Sequence, residues 1–295
     1  MGIIGIGSMG ANIAQRLHDK GYSLVLYNKT PDAYSPFQGK EGITFATDIS
    51  DFTRKLKSDG KKATVWMMVP GGSVTNSVVL ELSNLLTKGD IVIDASNSDY
   101  TDSIANHKTL AEKKIFYLDV GCAGGPSDLL KGVALYVGGD AIAYKRAKKV
   151  FKIVSGKGAY GYVGGPGAGQ LVKFFHNEMF YVQFPVAAEA MAGMMAVKSA
   201  NPAMGLDLNE AARLMSKSPP ITTGIMDAIS EALAKGIPNE APQMTISTMV
   251  KAGAKRATDQ GANLSLMNAV LDKYDSLPEA TRRIYAAAKK ILTGH

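Results

Sequence analysis

A short apolar run, Met1 to Ile4, leads directly into Gly5-Ile6-Gly7-Ser8-Met9-Gly10 and then ANIAQRLHDKG. This order predicts a strand, a G-x-G-x-x-G turn and a helix ending at Gly21. Each glycine has its own physical reason. Gly5 permits the tight turn, Gly7 lets backbone approach a pyrophosphate, and Gly10 allows the helix to pack closely on the strand. Unpaired N–H groups and the positive dipole end of the helix, at Ser8 and Met9, suit phosphates. A second strand is expected at Ser23 to Tyr27, the spacing of a βαβ unit. The chain is therefore expected to open with a dinucleotide-binding α/β domain.

The end of that second strand bears on which dinucleotide is held. A carboxylate there would accept ribose hydroxyls and repel a 2′-phosphate. The chain has Asn28-Lys29-Thr30 instead, with a cation and a hydroxyl to offer. NADP is favoured over NAD on that ground, against the plainer alternative of a polar turn before Pro31.

Strands and helices continue to alternate. Thr64 to Val69 reads as a buried strand broken by Pro70-Gly71-Gly72, with a helix from about Ser73 to Leu86. Asp90 to Ala95 is another strand, with Ser96-Asn97-Ser98 at its carboxyl end, where ligands of a doubly wound sheet lie. A helix follows to about Lys113, then a strand at Ile115 to Val120. That strand runs into Gly121-Cys122-Ala123-Gly124-Gly125-Pro126, a glycine density that suits an anion-binding nest. Leu135 to Asp140 closes a hairpin-like element, and the α/β pattern extends to about Gly161.

From Gly169 the pattern is helical. Lys173, His176, Asn177 and Phe180 have the spacing of one helix face. A cation, an imidazole and an amide on one face would each need a partner if buried, so the face is expected to line a cleft. An exposed polar stripe is the plainer alternative. The helix is expected to reach about Lys198, with Pro185 as the place for a bend. Further helices are expected at Leu208 to Ser216, Ile225 to Ala234, Met249 to Gln260, Leu264 to Tyr274 and Pro278 to Leu292. The organisation is thus a Rossmann-type doubly wound sheet over residues 1–163 and an all-α domain over 164–295. The long apolar helix, Met179 to Val197, carries Gln183, Pro185 and Glu189, so burial in a homodimer or larger homo-oligomer is expected rather than a membrane span.

Composition excludes several other classes. The formal net charge is +7, but lysines and arginines are scattered without interleaved aromatics, so nucleic acid is not an expected partner. A mild cationic excess suits an anionic substrate or a phosphorylated cofactor. One cysteine, Cys122, excludes an intramolecular disulfide, and no signal peptide is expected before the glycine motif, so a cytoplasmic setting is anticipated. Four histidines and one cysteine show no metal-ligand spacing. Cys122 and the methionines at 191, 194 and 195 read as packing residues, and Asp94 and Asp119 as structural ones.

The segments VWMMVPGGSVT, DASNSDYTDS, DVGCAGG and KFFHNEMFY occur in an order that resembles the β-hydroxyacid dehydrogenase superfamily over nearly the whole chain. This superfamily joins 3-hydroxyisobutyrate-type dehydrogenases with 6-phosphogluconate dehydrogenases. The Asn-Ser pair of the second segment and the histidine after the lysine are more similar to the short-chain 6-phosphogluconate dehydrogenase branch. The resemblance implies NADP-dependent oxidation of a 3-hydroxy acid, foremost 6-phosphogluconate with decarboxylation to ribulose 5-phosphate. It implies Lys173 as general base and Asn97, His176 and Asn177 as substrate holders. Ala123, Gly124 and Gly125 would lie against the substrate carboxylate and Tyr181 against a distal phosphate. Gly5, Gly7, Ser8, Met9, Gly10, Asn28, Lys29, Thr30, Val69, Pro70, Asn97 and Lys251 would hold the cofactor.

Two positions depart from the family. Phe180 stands where decarboxylating members carry the glutamate that protonates the enediol, and Ala123 stands where they carry a serine. Both concern the substrate and its decarboxylation; neither concerns hydride transfer. They favour a second reading, a non-decarboxylating dehydrogenase or semialdehyde reductase on a smaller acid. A third reading is a dinucleotide-binding sensor or scaffold without turnover.

Overall fold

The computed structural model describes residues 1–125, 128, 132–217, 224–237 and 276–293, with isolated positions between 252 and 273. The chain forms two compact units, Met1–Phe174 and Phe175–His295. The boundary lies inside the long helix, not at its start. Its first turns hydrogen-bond to the sheet and so belong to the first unit.

The first unit is an eight-stranded sheet: β1 Gly2–Ile4, β2 Leu24–Tyr27, β3 Ile43–Phe45, β4 Thr64–Met67, β5 Ile91–Asp94, β6 Phe116–Ala123, β7 Ala134–Gly139 and β8 Tyr160–Gly164. The spatial order is β3-β2-β1-β4-β5-β6-β7-β8. The strands from β3 to β6 are all parallel, β7 is antiparallel to β6, and β8 runs parallel to β7. The crossovers are α1 Ser8–His18, α2 Ile49–Leu56, α3 Ser73–Leu85, α4 Tyr100–Ala111 and α5 Ala141–Ser155. Strand order reverses between β1 and β4, the switch point at which doubly wound sheets bind ligands.

Successive strand residues face opposite sides, and each side has a core layer. Ile3, Trp66, Ile93 and Leu118 join Leu17 and Phe151 on one face. Ile4, Val65, Met67, Val92 and Tyr117 join Phe52 and Leu82 on the other. This two-sided burial explains why these strands read as continuous apolar runs. Helix α1 stops at His18 rather than Gly21. Gly21, at φ +80, turns the chain into β2, its amide donating to His18 O.

The second unit contains most of α6, Ala168–Ala200, with α7 Leu208–Met215, α8 Gly224–Lys235 and α9 Glu279–Thr293. Helix α6 is continuous through Pro185. Helix α8 packs against both α7 and α9. Phe184 of α6 is fully buried and meets the Tyr285 ring edge-on, centroids 4.7 Å apart. The helices expected at Met249 to Gln260 and Leu264 to Tyr274 lie largely outside the described residues.

Candidate active site

The parallel register aligns the carboxyl ends of four strands. Ile4 pairs with Met67, Met67 with Asp94, and Asp94 with Asp119. The segments that follow these residues carry Gly5 to Gly10, Val69-Pro70, Asn97 and Ala123 to Gly125. One edge of one sheet therefore gathers most of the residues singled out in the sequence.

The glycine turn has the shape its spacing demands. Gly5 has φ +91, and a Cβ there would lie 2.3 Å from Met68 O. A Cβ at Gly10 would lie 1.9 Å from Gly5 O, so helix and turn can touch only without it. At Gly7 a Cβ would meet nothing within 4 Å, which leaves open space over the turn. Gly7 is the N-cap of α1 and supplies no side-chain cap, and no acidic residue occupies the first turn. The orphan amides there suit a phosphate. These residues fit the dinucleotide that the motif implies.

Asn28 has a role that spacing did not suggest. Its Oδ1 accepts the Ile6 amide at 2.8 Å and its Nδ2 donates to Thr30 O at 3.0 Å. The side chain ties the glycine turn to the end of β2. Beside it, Lys29 and Thr30 are exposed and able to meet a charged ligand. Tyr34 completes the corner by accepting the Asn28 amide at 2.8 Å.

Across the switch point, the loops after β4 and β5 lie against each other. A Cβ on Gly71 would sit 2.2 Å from Asn97 O, and the Val69 amide donates to Ser96 Oγ at 3.3 Å. Asn97 is exposed at this edge, while Ser96 and Ser98 are buried. Beneath them Asp94 is fully buried, accepting from Tyr117 OH at 2.7 Å and from the Ser96 amide at 2.9 Å. Burial pushes its carboxyl up to about 6 despite these bonds. Asp94 thus supports the loop that presents Asn97.

Ala123 ends β6 and is buried, while Gly124 is exposed at φ +137. The Gly125 amide donates to the Asp128 carboxylate at 2.8 Å. The anion nest expected at these glycines is corrected in that respect, because that amide is already committed to Asp128.

Lys173 lies in the first turns of α6, directly on β6. A Cβ at Gly121 would fall 2.3 Å from the lysine Cβ. Burial lowers its ammonium from 10.5 to about 8, and the Cys122 thiol beside it opposes the change only in part. The same burial pushes Cys122 up to about 11, with Lys173 opposing. Cys122 is therefore a poor nucleophile, consistent with a packing residue.

The same continuous helix carries His176, Asn177, Phe180 and Tyr181, which belong to the second unit. His176, Asn177 and Tyr181 are half-buried. Phe180 packs its ring against Phe184 at 5.5 Å and Tyr181 at 5.7 Å. It is an aromatic packing residue where a carboxyl acid would otherwise stand. Glu178 is wholly buried and neither carboxylate oxygen has a hydrogen-bond partner among the described residues. Burial pushes its carboxyl from 4.5 up to about 7. Lys251 lies outside the described residues. Among the described residues no group of His, Cys, Asp and Glu could hold a metal ion.

The model of the NAD binding domain of 6-phosphogluconate dehydrogenase matches residues 1–164. The NAD(+)-dependent, decarboxylating 6-phosphogluconate dehydrogenase of Bacillus subtilis is 34% identical over 197 residues, 64% of this chain and 42% of that enzyme. The chain thus matches less than half the length of the first curated relatives. The Bacillus subtilis protein YqeC, provisionally named a 6-phosphogluconate dehydrogenase, is 30% identical over 237 residues, 80% of this chain and 76% of that protein. Among solved structures, 6-phosphogluconate dehydrogenase of Plasmodium falciparum, described with NADP+ and with 6-phosphogluconate, is 21% identical. It has a TM-score of 0.77 over 99% of this chain and 62% of that one. A 3-hydroxyisobutyrate dehydrogenase of Mycobacterium tuberculosis with L-serine is 19% identical, TM-score 0.73, over 98% of both chains. At those identities the two structures establish the fold alone.

Proposed function

The chain belongs to the β-hydroxyacid dehydrogenase superfamily and carries its 6-phosphogluconate dehydrogenase-type NAD-binding domain, and from that premise we propose an enzyme that oxidises a 3-hydroxy acid. The observation that carries the proposal is Lys173, seated on Gly121 at the carboxyl edge of the sheet with its ammonium lowered to about 8.

At that value about a tenth of the lysine is neutral at pH 7, against less than a thousandth for an ordinary lysine. The neutral amine accepts the proton of the substrate 3-hydroxyl, and positioning supplies much of the remaining catalysis. The bound nicotinamide dinucleotide supplies the hydride acceptor. Gly5, Gly7, Ser8, Met9 and Gly10 would hold its phosphates, and Lys29 and Thr30 a 2′-phosphate. The preference for NADP rests on Lys29 and on the lack of a carboxylate at position 28. Once protonated, Lys173 polarises the new 3-carbonyl, which is what a 3-keto acid needs to lose carbon dioxide without a metal. The family resemblance assigns substrate holding to Asn97, Gly124, His176 and Asn177 and a distal phosphate contact to Tyr181, and that assignment favours 6-phosphogluconate.

A second reading is favoured by one observation. Phe180 is committed to ring contacts with Phe184 and Tyr181, so the position supplies no acid for the enediol. A smaller 3-hydroxy acid or its semialdehyde, processed without decarboxylation, needs none.

Helix α6 also supports a homodimer. It is long and apolar enough to cross a membrane by length and composition, yet only 24% of its most apolar window is buried. Val172, Met179, Val186 and Val197 are exposed along it. Lys173, His176 and Asn177 on the same helix favour a second copy of the chain over lipid as the cover.

The test is turnover of 6-phosphogluconate with NADP and with NAD, following reduced cofactor and trapped carbon dioxide together. Equal yields support oxidative decarboxylation. Reduced cofactor without carbon dioxide moves the function to the second reading. Dinucleotide binding with no turnover on 6-phosphogluconate or on unphosphorylated 3-hydroxy acids refutes the proposal.

A further inference from the structure

The start of α6 rests on the sheet through a buried carboxylate from a distant part of the chain. Asp119, in β6, is 0% exposed. Its Oδ1 accepts the Gly167 amide and its Oδ2 the Gln170 amide, each at 2.9 Å. Amides at the start of a helix have no acceptor further back in the helix, and a cap residue just before the first turn ordinarily serves them. Here the acceptor is 48 and 51 residues earlier in sequence.

The surrounding packing leaves the helix little freedom. A Cβ on Gly169 would lie 2.4 Å from Asp119 O, and one on Gly138 would lie 2.6 Å from Asp119 Oδ1. With the Gly121 contact to Lys173, three positions without side chains let helix and strands meet backbone to backbone. Gln170 fixes the rotation from the other side. Its Nε2 donates to Ser96 O at 2.7 Å and to Val120 O at 3.2 Å. Gly169 and Lys173 are one turn apart on the face that meets β6.

We infer that Asp119 is a positioning residue for Lys173: its carboxylate caps the helix that carries the lysine and fixes the depth and rotation at which that side chain enters the site. This rests on Lys173 being the base. The carboxylate lies where the helix dipole favours negative charge, and two amides satisfy it. An asparagine could accept from one amide but would turn its own N–H₂ toward the other, and the first turn would have to rotate or lift. Cys122 faces the lysine in this unit, and Asp94 interacts electrostatically with Asp119.

The experiment is Asp119→Asn, with the Lys173 titration read by pH-dependent amine acylation and mass spectrometry, independently of turnover. The wild-type midpoint is expected near 8. The variant is expected to move it upward by about one pH unit or more as the lysine regains water. The rising limb of kcat/KM should move with it, kcat should fall at least about tenfold, and dinucleotide affinity should hold. A folded variant whose midpoint and pH profile are unchanged overturns the inference, whatever its melting temperature. If the variant does not fold, amide exchange in the wild type decides. Gly167 and Gln170 amides as protected as the core strands support the cap, and rapid exchange overturns it. Lys173→Met separates this inference from the functional reading. Turnover that survives Lys173→Met removes the base, while an acylation shift in Asp119→Asn still stands as positioning.

Discussion

Glu178 is a buried carboxyl with no hydrogen bond among the described residues, and its charge should cost stability in a defined pH window. Its pKa is 4.5 in an ordinary setting and about 7 in the fold. Because the folded value is raised, the favourable contribution is complete below 4.5 and is lost as pH rises through 7. The full displacement corresponds to about 3 kcal/mol of destabilisation at high pH. Between about pH 5.5 and pH 8.5 the expected change is about 2 kcal/mol, since part of the loss occurs below the window. Glu178→Gln removes the charge but leaves a buried amide, so its offset from wild type has either sign. The informative quantity is how that offset varies with pH. Urea denaturation at the two pH values should find the variant gaining about 2 kcal/mol over wild type at the higher one. Glu178→Leu should show the same pH dependence with a more favourable offset, because no polar atom remains to be satisfied. Circular dichroism is the right probe, because the only tryptophan, Trp66, reports on the first unit. A stability difference that is flat across the window would refute the reasoning, and with it the claim that this carboxyl is held neutral by burial.

Further outcomes follow from the first unit. Lys173→Met should reduce kcat by about a thousandfold or more with dinucleotide affinity within a few fold, and wild-type kcat/KM should rise with pH and level off above about 8. Because the folded ammonium is depressed below its ordinary 10.5, stability is lost as pH falls through 8, so the same variant should gain up to about 3 kcal/mol at neutral pH in denaturation. Lys29→Glu should weaken NADP binding by about tenfold or more, in a salt-dependent way, and leave NAD within a few fold, as isothermal titration would show. Cys122, pushed up to about 11, should react with iodoacetamide at least about a hundredfold more slowly in the native protein than after unfolding at the same pH.

The α/β half of the chain was legible because its signals are local. The glycine turn, the strands expected at Thr64 to Val69, Asp90 to Ala95 and Ile115 to Val120, and the crossover helices between them follow from apolar runs and glycine breaks a few residues long, although the third strand runs on through Gly121 and Cys122 to Ala123, where a loop was expected. The strand at Ile43–Phe45 and the helices at Ile49–Leu56 and Ala141–Ser155 were not anticipated. The strand is three residues long and incompletely buried, so its alternation is barely expressed. The helices carry amphipathic faces; the first opens at an Asp48 N-cap without glycine or proline, and the second at an Asp140 N-cap directly after the glycines that end β7. The candidate residues that motif and position singled out, Gly5 to Gly10, Asn97 and Lys173, are those whose chemistry is unusual for their local context. The connection of Asp119 and Gln170 to Lys173 was invisible in the sequence, because what distinguishes them is which backbone groups they meet 48 to 74 residues away.

That distinction bears on how, under the proposed function, a dinucleotide-binding sheet would also present a base. The carboxyl edge offers amides and open space over Gly7, which suit a ligand but provide no proton acceptor. In the proposed reaction the acceptor comes from a later helix, and a lysine brought there by an unconstrained helix would remain solvated and charged. Removing three side chains at Gly121, Gly138 and Gly169 brings backbone to backbone, and Asp119 then absorbs the two amides that such an approach would strand. The cost is a buried carboxylate whose own pKa is raised by burial and only partly recovered by those amides. The return is a lysine whose stem lies against β6 and whose ammonium loses water. On this view the depressed lysine and the raised aspartate have one physical origin, the close seating of α6, and any substitution that lifts the helix should relax both toward their ordinary values together.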